Sequence, residues 1–251
     1  MAWRNTSTAR IGRRKSSRLF KDYYAEWIET LKNTLLPLLR HSMSSSSSSS
    51  SLLSTHVEML HHHFQSYYEA LDLAASQDLS QLLYPDWRNS LEKPFLWLGD
   101  FHPNLFTNLL RSFLDDDSNN GGLAWKNPSK PLLNRVEQIE CGLRLMVPAL
   151  VARSRAAQAG FIDRVAVDWV RCQGRKEATK DFCGAVMAQM EELMIVFMDA
   201  NRLRRSILTE IMGATDVYQA ALYLQAFAQF LVGFRDAELL SEFERCKLPL
   251  S

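Results

Sequence analysis

Apolar residues recur at intervals of three and four along almost the whole chain, and this spacing commits it to helices. Phe20, Tyr23, Tyr24, Trp27, Ile28, Leu31, Leu35 and Leu38 form one such stripe, the i, i+3, i+4, i+7 face of an amphipathic helix. A first helix from Phe20 to near Arg40 is predicted. Leu52 to Leu83 repeats the pattern through Val57, Leu60, Phe64, Tyr67, Tyr68 and Leu71, and Pro85 ends it. From Leu132 to Phe243 the pattern is nearly continuous, with punctuation near Gly160, Gly174 and Gly213 and one sustained stripe of Leu193, Val196, Phe197, Ala200, Leu203, Ile207 and Ile211. No set of alternating β-branched segments competes with it. The predicted class is all-α, a multi-helix bundle with long antiparallel helices.

Where the periodicity stops, the composition says what replaces it. The serine run has nothing to bury, so residues 42–51 read as a disordered loop. Residues 115–131, rich in Asp, Asn, Gly and Pro, read as a linker. The expected organisation is a basic, disordered arm over 1–19, a single helical domain over 20–243 containing that loop and that linker, and a tail over 244–251. Val217 to Phe234 carries no charge and would be roughly 27 Å long as a helix, close to a bilayer core. Its Gln219, Gln225 and Gln229 favour a core helix, because three amides facing lipid would be costly.

Charge and motif content exclude several function classes. The chain has 29 basic and 28 acidic residues, and 47% of it is hydrophobic, which rules out general disorder and a dedicated polyanion binder. The balance hides an asymmetry, because residues 1–21 hold seven basic residues and no acid, leaving 22 basic against 28 acidic elsewhere. Arg10, Arg13, Arg14, Lys15 and Arg18 therefore form a candidate membrane or partner site: an anchor to anionic lipid, a nuclear import patch, a basic helix for calmodulin-like partners, or simply a solvated tail. The four cysteines lack paired spacing and read as reduced, and no secretory signal is visible. No nucleophile elbow, phosphate loop, dinucleotide turn or zinc helix is present, so no catalytic residue, metal or cofactor is expected. His61, His62 and His63 diverge by about 100° each on a helix, which does not suit a metal. Asp115, Asp117 and Asn119 imitate the start of a calcium loop, but Asn120 and Lys126 break the pattern.

The most distinctive stretch is Trp87 to Phe113. Gly99 suits a helix stop and Pro103 a first helical turn, which predicts a helix, a tight corner and a second helix. Trp87, Phe95, Trp97, Gly99, Asp100, His102 and Pro103 are the candidate structural corner, with capping or packing expected of His102.

Four segments in order carry a family resemblance: Phe20-Lys-Asp-Tyr-Tyr-Ala-Glu-Trp-Ile, His56-Val-Glu-Met-Leu-His-His-His-Phe-Gln-Ser-Tyr-Tyr-Glu, Phe95-Leu-Trp-Leu-Gly-Asp-Phe-His-Pro and Asp199-Ala-Asn-Arg-Leu-Arg-Arg-Ser-Ile-Leu. Together they resemble the plant delay-of-germination domain, which also forms the C-terminal half of TGA-type bZIP transcription factors. The third is similar to that family's F-L-W-I-G-G-F-R-P, with Asp100 and His102 replacing glycine and arginine. Within the family, residues 87–113 look most like the inaperturate-pollen branch. The resemblance implies a non-enzymatic interaction or scaffold protein that marks plasma-membrane domains where pollen exine is not deposited. It would be cytoplasmic and recruited to those domains, working through protein partners, by self-association or with a family paralogue. The alternative it implies is a nuclear regulator of transcription or seed dormancy acting through partners. No basic region with a leucine zipper precedes the domain, so direct sequence-specific DNA binding is not expected.

Overall fold

The computed structural model describes residues 19–44, 50–114, 125, 128–172 and 176–246, and they are all-α apart from one two-residue strand pair. Helix α1 (Phe20–Thr30) runs through one π-helical turn (Leu31–Leu35) into α2 (Leu36–Ser44). Pro37 accounts for the turn: it has no N–H to donate to Asn33, and its ring would press on that carbonyl. An i→i+5 turn, marked by the Leu36 N–H bonding the Leu31 carbonyl, relieves both problems. The extra residue advances the apolar face by one position. Leu39 is fully buried while Leu38 is 36% exposed, the reverse of what an uninterrupted 3.6-residue count assigns.

Ser42 follows Leu39 on the buried side and donates to its carbonyl at 2.8 Å. The helix therefore continues past Arg40, and the expected loop over 42–51 contracts. Ser42 to Ser44 complete α2, and Ser50 and Ser51 begin α3 (Ser50–Gln77). The predicted helix to Leu83 also breaks early, where Asp78 accepts the Ser80 N–H at 3.0 Å and starts the short α4 (Ser80–Leu83).

The helix–corner–helix expectation is corrected. Residues 86–95 form turns and one 3-10 turn, followed by a minimal hairpin of β1 (Leu96–Trp97) and β2 (Asp100–Phe101). Leu96 pairs with Phe101 and Trp97 with Asp100. Gly99 stops no helix. It shares the hairpin turn with Leu98, both at positive φ (81° and 45°), as a two-residue loop between right-twisted strands requires. Pro103 then leads into α5 (Asn104–Leu114).

The expected linker over 115–131 is also shorter at its far end. Trp125 is buried, donates its backbone N–H to Phe113 at 2.7 Å and stacks on that ring at 5.2 Å. Helix α6 already begins at Lys130. The calcium-like residues Asp115, Asp117 and Asn119 lie outside the described residues.

Two long helices, α6 (Lys130–Cys172) and α7 (Lys176–Ala214), follow as an antiparallel hairpin cross-linked by Arg153–Asp199 at 2.6 Å and Arg164–Glu192 at 3.9 Å. Gly160 does not punctuate α6; a side chain there would meet open space. Helix α8 (Val217–Gly233) is the uncharged segment. Asp216 and Gln219 close a capping box at its start, and Ala220, Ala221, Tyr223, Leu224, Phe227, Ala228 and Leu231 face the core. Phe227 lies 5.0 Å from both Phe64 and Phe106, tying α8 to α3 and α5. Among the described residues no single helix is long and apolar enough to cross a membrane. A final helix, α9 (Ala237–Cys246), occupies part of the expected tail.

Candidate functional site: a buried ion-pair hub

The hairpin brings together four charged residues from three parts of the chain. Arg88, Glu92, Asp100 and Arg204 are all shielded from solvent. Arg88 donates to Glu92 Oε1 at 3.1 Å and to Asp100 Oδ1 at 2.8 Å. Its guanidinium is enclosed by the rings of Tyr24, Trp87 and Phe101, with centroids 4.3, 4.8 and 4.9 Å away. Tyr24 donates to Glu92 at 2.6 Å, and Tyr67 donates to Asp100 at 2.8 Å while accepting from Arg88 at 2.6 Å. Burial pushes both phenols above their ordinary pKa, so they act as fixed donors. Burial opposes the charge of Arg88, but the surrounding Tyr67, Tyr24, Asp100 and Glu92 outweigh it and hold the guanidinium protonated.

Arg204 closes the hub from α7. It donates to the carbonyl of Phe101 at 2.7 Å, to Asp100 at 3.3 Å and to Trp97, and to the Asn201 side chain at 2.7 Å. Asn201 in turn donates to Asp72 of α3 at 2.9 Å. The hairpin's backbone acceptors are thus satisfied by one side chain from a helix more than a hundred residues away, as buried carbonyls require. The hub holds two cations and two carboxylates, with Arg88 paired to both carboxylates and Arg204 bonded to carbonyls and Asn201. What remains unpaired is Asp100 Oδ2 and Arg88 Nε.

The predicted corner residues divide by role. Gly99 is obligatory, because a Cβ there would lie 2.5 Å from the Phe197 ring and 2.9 Å from the Leu82 carbonyl. Asp100, standing where the family pattern has glycine, supplies the second carboxylate for Arg88. Trp87 anchors the segment through Nε1 to Gln81 at 3.0 Å and ring contacts with Phe20 and Tyr24. Trp97 is half-buried against Leu150, Val196 and Ala200. His102 accepts the Asn104 N–H at 3.1 Å at the start of α5, and its pKa is lowered by burial and then by Arg204. Phe95 is exposed, although its ring meets Phe230 and Phe234 at 5.4 Å. Pro103 is buried.

The histidine run resolves separately. His63 stacks on Trp27 at 4.8 Å, and each ring bonds the other's carbonyl, at 2.9 and 3.0 Å. Among the described residues no three His, Cys, Asp or Glu side chains converge on a metal position. The basic residues Arg10, Arg13, Arg14, Lys15 and Arg18 lie outside the described residues.

Sequence reasoning missed Arg88, Glu92, Arg204, Tyr24 and Tyr67 as a unit. The available signal was Arg204, a charge inside an apolar stripe, and the i, i+4 pair Arg88 and Glu92.

The family described as seed dormancy control matches residues 35–112, from the π turn through the hairpin into α5. The chain is 45% identical over 268 aligned residues to Protein INAPERTURATE POLLEN1 of Arabidopsis thaliana, covering 95% of this chain and 98% of that protein. The chain belongs to the inaperturate pollen family. A second member, the INAPERTURATE POLLEN 1 homolog of Oryza sativa subsp. japonica, is 39% identical over 236 residues, covering 92% of this chain and 90% of the homolog. In this family member, Tyr67, Arg88, Glu92 and Asp100 of the hub lie inside the seed-dormancy-control match, and Tyr24 and Arg204 reach it from either side.

Proposed function

We propose that this protein acts in pollen aperture formation as a non-enzymatic interaction protein, marking plasma-membrane domains where exine is withheld. The observation that carries the reading is identity of 45% sustained over 98% of the Arabidopsis relative, which leaves no large part of that protein without a counterpart. The geometry is compatible with it: the charged residues of the hub are shielded from solvent and bonded within the fold, so none is presented at the surface. In this reading the body meets protein partners, itself or a family paralogue. Arg10, Arg13, Arg14, Lys15 and Arg18 add attraction to the anionic cytoplasmic leaflet, up to about 1 kcal/mol each near the surface.

The match to seed dormancy control over residues 35–112 favours a second reading, a nuclear regulator acting through partners. One experiment separates them. Expression of a tagged copy in plants lacking the Arabidopsis relative should restore apertures, with discrete peripheral foci at the tetrad stage. Uniform nuclear signal without restored apertures would overturn the aperture reading. Foci that survive replacement of Arg13, Arg14, Lys15 and Arg18 by glutamine would place targeting in the helical body.

A further inference from the structure

The π turn opens a cleft of about 410 Å³ against the end of α8, lined by Lys32, Asn33, Leu36, Arg40, Gly233 and Arg235 among others. We propose that this cleft binds a phosphorylated anion, either a free phosphate ester or the headgroup of a phosphoinositide. The inference stands apart from the basic arm and does not rest on the aperture reading.

Three cations line the cleft against one carboxylate, Asp236. That carboxylate is already engaged, accepting the Leu239 N–H at 2.9 Å at the start of α9. Glu29, one turn before Asn33, is held by the Asn33 amide at 2.7 Å. Lys32 and Arg40 are exposed and have no ion-pair partner among the described residues. Arg235 is half-committed: its guanidinium lies 4.0 Å from Glu92 Oε2 and 5.2 Å from the centre of the Tyr24 ring. Two uncommitted cations and a third held at the wall form a net positive concavity, and several cations lining one small volume suit a multiply charged phosphate.

Local backbone makes the convergence possible. On a regular helix, positions 32, 36 and 40 drift by about 40° per step. The π turn adds a residue between Lys32 and Leu36, which offsets that drift and brings Lys32, Leu36 and Arg40 toward one line facing α8. Gly233 forms the opposite wall, and a Cβ there would meet nothing within 4 Å. That part of the wall is therefore bare of side chain and open to a ligand.

Gly233 also supplies the test. Gly233→Glu inserts a carboxylate into the cleft without a steric clash, so its melting temperature should match the parent chain. Calorimetry of the full chain with inositol 1,4,5-trisphosphate should show saturable binding. Gly233→Glu, and separately Lys32→Gln with Arg40→Gln, should each weaken it at least tenfold. Flotation with vesicles of phosphatidylcholine containing 5 mol% phosphatidylinositol 4,5-bisphosphate distinguishes the sources. Binding to these vesicles, lost in the same variants, assigns the headgroup; binding of the soluble probe alone assigns a free phosphate. Absence of saturable binding to either probe, or binding unchanged in both folded variants, overturns the proposal.

Discussion

Replacing Arg88 with methionine tests the hub directly. The substitution keeps an unbranched apolar stem and removes the guanidinium, leaving Glu92 and Asp100 buried. Both ion pairs are wholly shielded, at 3.1 and 2.8 Å, and removing one partner of such a pair costs about 3–5 kcal/mol because the other charge stays uncompensated. The two losses do not simply add. Arg235 remains 4.0 Å from Glu92, and Arg204 remains against the Asp100 backbone, so the expected loss stays at about 3–5 kcal/mol. For a chain of this length that corresponds to roughly 6–20 °C in melting temperature. Urea unfolding followed by circular dichroism measures the loss, and a value below about 1 kcal/mol would refute the reasoning.

Gly99→Ala combines a positive φ with the contact against Phe197 and should cost about 2–4 kcal/mol; a melt within 2 °C of the parent would show that the turn relaxes. Trp97→Ala should cost about 2–3 kcal/mol, less than a fully buried tryptophan, because the ring is half-buried and the Arg204 bond goes to its backbone. Burial lowers the pKa of His63, against an opposing hydrogen bond to the Trp27 carbonyl. That contribution to stability is complete above the unfolded value of about 6.5 and is lost as pH falls through the depressed folded value. His63→Phe should therefore flatten, though not abolish, the drop in urea midpoint between pH 7.5 and 5.5, since His61 and His102 are shifted the same way; an unchanged drop would assign it elsewhere.

Helix content and most of the core faces were legible in the sequence, because a 3.6-residue apolar period is a local property that a helix packed on one face displays. Phe20 to Leu35, Val57 to Leu71 and Leu193 to Ile211 all pack along the stripes their spacing announces. Family membership was legible in the four ordered motifs for the same reason: it is written in residues and spacing. Gly99 and Asp100 were visible as special positions, yet their roles were not. A glycine after an aromatic run suits a helix stop and a hairpin equally well, and only the approach of Phe197 and the Leu82 carbonyl decides between them. The one-residue phase change at Pro37 was likewise hidden, since a proline can kink a helix, end it or widen a turn, and packing against α3 and α8 selects the last. Above all, the hub belongs to tertiary structure. Arg204 stands out in a linear pattern as a charge inside an apolar stripe, and Arg88 with Glu92 as an i, i+4 pair, but nothing in the pattern joins them. They are tolerated inside because distant elements bring two carboxylates, two phenols and three carbonyls to within hydrogen-bond reach, and no local period encodes that convergence.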